Sequence, residues 1–227
     1  DWATDEFIHE INNIHGLKNK YNIFEKDLTK RIVVAYESSP LISKVNYVER
    51  ELPNKLKMKF ELRRPVAIIK RKRKKHLVDK DCVRIPGDFY KYPEEGDEPI
   101  YIISRKSVKV PEYGEKWKDK SIEDGINLLN YLKHNKIDKL LKIVSIDVSK
   151  IEGRRKDNKI GVELWTKNGA KIKWGFSPSS GQVSELSNYE KLQNLLSVAM
   201  EEGADLGNME YVDVRWKTPL AKRTRVR

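Results

Sequence analysis

The chain has 227 residues, with 46 Lys and Arg against 34 Asp and Glu, a net charge of +12, and 38% hydrophobic residues. That length suits one large or two small domains with real cores, and the surplus of cations points to acidic partners such as nucleic acid, anionic headgroups or an acidic protein face. The lone cysteine, Cys82, excludes an internal disulfide, and no apolar run approaches the ~18 residues of a membrane span.

The chain opens on Asp1 rather than Met, so a preceding anchor or targeting segment is expected. The spacing of Phe7, Ile11 and Ile14 predicts a helix over Thr4–Lys18, capped by Thr4 or Asp5, with Gly16 near its end. A second helix is predicted over Ile23–Ser39, closed by Pro40. Leu41–Glu51 reads as extended and Leu52-Pro53-Asn54-Lys55 as a turn. Leu56, Met58, Phe60 and Leu62 then alternate with charged residues, the pattern of a half-buried strand. Residues 1–64 therefore read as a small helix–helix–hairpin domain. Such a unit normally carries a third strand, which is expected upstream of Asp1.

Residues 65–227 read as a second, larger α+β domain with a mostly antiparallel sheet, beginning after Arg64-Pro65. Val66–Ile69 is a short strand, Lys70–His76 a basic run, and Leu77–Ile85 a hairpin turning at Asp79-Lys80-Asp81. Pro86–Pro99 and Val108–Lys120 read as irregular, separated by a strand at Ile100–Ile103. Ser121–Asn135 is a helix, with Ser121 and Asp124 at capping-box spacing. Strands are predicted at Ile143–Ser149, Ile160–Leu164 and Ile172–Phe176, the last two joined at Asn168-Gly169 by a type I′ turn. Ser184–Glu202 is a helix with Leu186, Tyr189, Leu192, Leu196 and Met200 as its stripe, ended by Gly203 and Gly207.

The chain closes on Met209–Arg223. Val212, Val214 and Trp216 alternate with Tyr211, Asp213, Arg215 and Lys217, so one strand with a single buried face is expected. Pro219 removes a ladder donor, which confines it to an edge, a strand end or a bulge. The tail that follows, Lys222, Arg223, Arg225 and Arg227, is cationic. This reads as an edge strand guarded by charge, and two uses fit it: prevention of aggregation, or a template for another chain's backbone.

Catalytic and metal motifs are missing from the sequence: there is no HExxH, CxxC, P-loop or GxGxxG, and His9, His15, His76 and His134 have no ligand spacing. Asp79 and Asp81 read as caps of their own turn, and Ser177-Pro178-Ser179-Ser180-Gly181 lacks a nucleophile elbow. Lys70, Arg71, Lys72, Arg73, Lys74 and Lys75, with Phe89, Tyr90 and Tyr92 further on, form a basic-plus-aromatic pattern. It suits a solvated or membrane-facing loop, or nucleic acid.

Seven fragments, in order, resemble the extracytoplasmic part of the FtsQ/DivIB family of bacterial cell-division proteins. Phe24-Glu25-Lys26-Asp27, Ser39-Pro40-Leu41-Ile42-Ser43-Lys44-Val45, Leu52-Pro53-Asn54-Lys55-Leu56 and Arg63-Arg64-Pro65-Val66-Ala67 are similar to its POTRA pattern. Leu77-Val78-Asp79-Lys80-Asp81 is similar to the hairpin that opens its β domain, with Cys82 where the family usually has Gly. Tyr189-Glu190-Lys191-Leu192 and Tyr211-Val212-Asp213-Val214-Arg215 are similar to its last helix and last strand. The resemblance implies a single-pass inner-membrane protein without enzymatic activity or cofactor, its POTRA and β domains in the periplasm. It implies that the protein recruits FtsB-like and FtsL-like coiled-coil proteins of the division machinery, one of which adds a strand at the end of the β-domain sheet. The expected docking residues are then Tyr211, Val212, Val214, Arg215, Trp216, Lys217, Thr218, Pro219, Leu220, Lys222 and Arg223, with Trp216 or Leu220 as anchor and the cations facing an acidic partner. Two other readings stay open: a nucleic-acid binder using Lys70–Lys75, and a POTRA-containing factor of envelope assembly.

Overall fold

The structure is a computed structural model that describes residues 4–14, 21–71, 73–87, 99–104, 107–151, 161–176 and 186–224. The chain forms two compact units. The first gathers 1–66, 76–97 and 110–117, and the second 67–75, 98–109 and 118–227. Segments 76–97 and 110–117, which follow the boundary expected at residue 64, thus belong with the N-terminal unit. Among the described residues no helix is long and apolar enough to cross a membrane.

The first unit opens with α1 (Asp5–Asn12), where the Thr4 hydroxyl accepts from the Phe7 N–H, and α2 (Leu28–Glu37). Both helices are shorter than their apolar spacing predicts. Residues 15–18 of the expected first helix lie outside the described residues, and Asp27, at φ 61°, breaks the second before Leu28. Phe7, Ile11 and Ile14 pack with Leu28, Ile32 and Tyr36 over Leu41, Ile42 and Val45. β1 (Ile42–Glu51) and β2 (Lys55–Leu62) form an antiparallel two-stranded sheet, with the Phe60 ring 5.5 Å from that of Tyr36. The hairpin outruns its core: Glu49–Glu51 and Lys55–Lys57 are exposed.

The hairpin expected at Leu77–Ile85 is present, within β4 (Lys74–Val78) and β5 (Arg84–Ile85). Asp79 organises its turn: Oδ1 accepts from the Asp81 and Val83 N–H groups at 3.0 and 2.8 Å, and Oδ2 from Arg63 Nη1 at 2.5 Å. Cys82 is buried at φ 65°, so it takes the left-handed backbone that glycine adopts freely, and the turn survives the cysteine.

The second unit carries β3 (Ala67–Arg71), β6 (Ile100–Ile103), β7 (Ile143–Asp147), β8 (Val162–Thr166), β9 (Lys171–Gly175), β10 (Met209–Asp213) and β11 (Leu220–Arg223). Their order is β11-β10-β9-β8-β7-β6-β3. Over the chain antiparallel pairs outnumber parallel ones, and the fold is the expected α+β class with a mostly antiparallel sheet. Within this unit the sheet is mixed. β6–β7 and β9–β10 are parallel because each pair is joined by a helix, α3 (Lys120–His134) with the short α4 (Ile137–Leu140) or α5 (Asn188–Glu202), and β3–β6 is parallel as well. The sequence analysis missed α4.

One row of side chains holds the unit together. Ile69, Ile102, Ile146, Leu164, Ile172 and Val212 are Cα partners across six adjacent strands, and each is 0% exposed. Helix α3 lies over this face, and its Gly125 sits so close that an added Cβ would lie 2.8 Å from Val148 and 3.5 Å from Ile102. Helix α5 is bound to the sheet by Trp174 Nε1, which donates to Asn188 Oδ1, and by the buried Lys191, which donates to the Phe176 carbonyl at 2.7 Å.

Local chemistry moved three expected caps and turns. Asp119, not Ser121, caps α3: its Oδ1 accepts from the Ile122 N–H and the Ser121 hydroxyl. α5 starts at Asn188 because Ser187 and Glu190 close a capping box, and the helix phase this sets buries Leu192, Leu195, Val198 and Ala199 while leaving Tyr189 and Met200 exposed. The β8–β9 turn is not type I′. Only Gly169 has positive φ, and the Thr166 N–H donates to the Ala170 carbonyl across a three-residue loop.

Two glycines make a discriminating pair. Gly161 (φ +72°) would carry a Cβ 2.4 Å from the Gly175 carbonyl carbon, whereas one on Gly169 (φ +87°) would meet nothing within 4 Å. Gly169→Ala should cost about 1 kcal/mol and Gly161→Ala at least about 2 kcal/mol more in thermal or urea unfolding, because only the second adds a backbone clash to the conformational cost. Equal losses would contradict the described β8–β9 approach.

Candidate partner-docking edge

The single strand expected over Tyr211–Leu220 is a hairpin. β10 ends at Asp213, residues 214–219 turn, and β11 runs back antiparallel with Tyr211 opposite Lys222, Val212 opposite Ala221 and Asp213 opposite Leu220. On its other side β10 pairs in parallel with β9. Its backbone is therefore enclosed by its own chain, which corrects the expectation that a partner strand pairs along Tyr211–Leu220. Among the described residues no strand pairs with the outer side of β11, the last strand of the order.

A side-chain fork makes the turn. Arg215 Nε and Nη2 donate to Asp213 Oδ1 and Oδ2 at 2.8 and 2.6 Å, and the Arg215 N–H also reaches Oδ1 at 3.3 Å. Burial pushes the Asp213 carboxyl up, but the hydrogen bonds and charge of Arg215, with Lys173 nearby, outweigh it and hold the group below the usual carboxylate range. Helix α5 fixes the far side of the turn, where Asn194 Nδ2 donates to the Trp216 carbonyl at 2.8 Å and to that of Val214 at 3.4 Å.

The expected docking residues separate into two groups. Val212 and Val214 are fully buried core, and Tyr211 is half-buried with Lys173 Nζ 4.0 Å from its ring centroid. Arg215 is engaged by Asp213, Lys222 by Glu210 at 2.6 Å, and Arg223 by Glu202 of α5 through two bonds of 2.9 Å. The Arg223 bonds hold the Glu202 carboxyl below its ordinary range. The cations expected to face an acidic partner are thus largely occupied within the chain. Trp216 (52%) and Leu220 (55%) are exposed, as are Lys217 and Thr218, and Pro219 is half-exposed at the entry to β11. All four residues of β11 are exposed.

Sequence reasoning missed Asp213, Asn194 and Glu202 as the groups that shape this edge. It also placed Tyr189 (66% exposed) and Met200 (85% exposed) in the core. The signal for the latter was present: Ser187 and Glu190 set the helix start, and from there Leu192, Leu195 and Ala199 share the inner face. Arg225 and Arg227 lie outside the described residues. No family model matches this chain, and no curated protein does.

The Asp213–Arg215 fork predicts a pH signature. A carboxyl whose pKa is lowered on folding contributes stability that is full above its unfolded value, near pH 4, and is lost as pH falls through the lower folded value. Removing the guanidinium leaves burial as the dominant influence. Arg215→Met should therefore cost about 2 kcal/mol at pH 7 and lose less further stability than the parent on acidification, so that the two converge toward pH 3, followed by thermal unfolding between pH 3 and 7. An unchanged acid limb would contradict the fork's role.

Proposed function

We propose that this chain is the extracytoplasmic part of a non-enzymatic, FtsQ/DivIB-type scaffold of the bacterial division machinery, tethered to the inner membrane by a separate span. It recruits FtsB-like and FtsL-like coiled-coil partners and so links assembly at the division site to septal peptidoglycan synthesis. The observation that carries this reading is β11, a terminal strand whose outer backbone groups face away from β10 and whose every residue is exposed. Proline, lysine and short length guard many edges. A guard has no use for exposed Trp216 and Leu220 beside the strand, whereas a docking edge needs apolar anchors.

The mechanism is strand addition. A partner segment pairs with the outer edge of Leu220–Arg223, each backbone bond contributing a net of roughly 0.5–1.5 kcal/mol. Leu220 and Trp216 bury against the partner's apolar side chains. The ion pairs of Lys222 and Arg223 hold β11 to β10 and α5, so the template is ordered before the partner arrives.

Trp216→Glu and Leu220→Asp should each abolish co-purification of co-expressed FtsB-like protein while leaving the melting temperature within a few degrees of the parent, since neither side chain is core. Capture that is undiminished in both variants would remove the proposal.

A further inference from the structure

The sheet of the second unit has two unlike faces. The inner face carries the aliphatic row under α3 and α5. On the outer face, no helix of this unit lies over the strands among the described residues. There Tyr101, Ser145, Trp165, Lys171, Tyr211 and Lys222 are Cα partners in a continuous row from β6 to β11. All but the exposed Lys222 are half-buried. The three rings stand on alternate strands. At the spacing of hydrogen-bonded strands, successive rings are about 10 Å apart.

Each ring has its own ammonium group. Lys75 Nζ is 5.3 Å from the Tyr101 centroid, Lys171 Nζ 4.8 Å from Trp165, and Lys173 Nζ 4.0 Å from Tyr211. Pairing of this kind at a half-exposed surface is worth only about 0.5–1 kcal/mol, so the lysines can swing aside and remain beside an occupied ring. Flat rings two strands apart match the repeat of an extended β-linked glycan, in which equivalent sugar faces recur once per disaccharide. The ammonium beside each ring meets a carboxylate on the sugar, and Ser145, between the first two rings, supplies a hydroxyl to the sugar's own.

The adjacent row on the same face argues against a polyphosphate chain. It contains Asp147, Glu163 and Asp213 around Lys173. Glu163 is buried with Lys150 at 2.6 Å and Lys171 at 3.9 Å, so much of the local cationic charge is already matched. A phosphodiester at every residue would meet carboxylates as often as amines, whereas a glycan with one acid per disaccharide would not.

We infer that the outer face of this sheet is a binding platform for a linear, carboxylate-bearing β-linked glycan, with Tyr101, Trp165 and Tyr211 as stacking rings and Lys75, Lys171 and Lys173 as acid-reading groups. The platform is separate from the β11 edge and does not depend on the division reading.

The test is calorimetric titration of the full chain with four probes: a hyaluronan hexasaccharide, neutral chitohexaose, polyaspartate and oligothymidylate. The hyaluronan hexasaccharide should bind most tightly. Trp165→Ala and Tyr211→Ala should each weaken it about tenfold. The double variant Lys171→Gln/Lys173→Gln should bring acidic and neutral sugars to similar affinity while both still bind. This variant leaves the three rings in place and Glu163 still paired with Lys150, and, once thermal unfolding shows it folded, it carries the test if a ring variant fails to fold. The proposal is overturned if the acidic hexasaccharide does not bind. It is equally overturned if folded ring variants bind like the parent, if the double variant keeps the full preference for the acidic sugar, or if polyaspartate or oligothymidylate binds as tightly.

Discussion

Six aliphatic side chains in register, Ile69, Ile102, Ile146, Leu164, Ile172 and Val212, hold the larger unit in its arrangement. Each contributes about 1.5–3 kcal/mol by leaving water, and together they dictate which face the helices cover. Because side chains alternate along a strand, committing this row to the interior commits the neighbouring residues to the opposite face. A one-residue slip in any strand would exchange its two faces, and in β9 it would bury Lys171 and Lys173. The register that makes the core therefore also makes the outer row of rings and amines.

The same row explains why β11 differs from its neighbours. Its next member would be Ala221, which is exposed. The core stops at Val212, so β11 hangs on the sheet by backbone bonds and two ion pairs alone. Residues of this kind open at low free-energy cost and can be reorganised without disturbing the interior. β10 is the opposite case: paired on both sides and buried through Val212, Asp213 and Val214, it is structural.

How much of this was legible in the chain depended on whether the signal was local. Met58, Phe60 and Leu62 alternate because one side of that hairpin faces a core, Leu56 keeps the period beyond that core, and the strand lies where the pattern puts it. Caps were legible in kind but not always in place: Ser121 and Asp124 have capping spacing, yet Asp119 has the better reach to the Ile122 N–H. Parallel pairing of β6 with β7 and of β9 with β10 was implied by the helices between them, but short runs such as Ile100–Ile103 are apolar whichever way their neighbours run. The hairpin within Met209–Arg223 was hidden for a different reason. Val212, Val214 and Trp216 keep the strand period through the turn, and what bends the backbone is a side-chain fork from Arg215 to Asp213, which a hydrophobic pattern does not register. The terminal strand therefore lies one strand further along the chain than alternation suggested, at Leu220–Arg223, while the exposed Trp216 and Leu220 were already among the residues singled out.

The central claim, that a visiting strand completes the sheet at β11, is tested most directly by amide hydrogen exchange on the chain alone and with a co-expressed FtsB-like protein. The account predicts that Val212 and Asp213 are protected in both states, while the amides of Leu220–Arg223 that face away from β10 exchange rapidly in the free protein and become protected in the complex. A bound partner that leaves exchange at Leu220–Arg223 unchanged would contradict it.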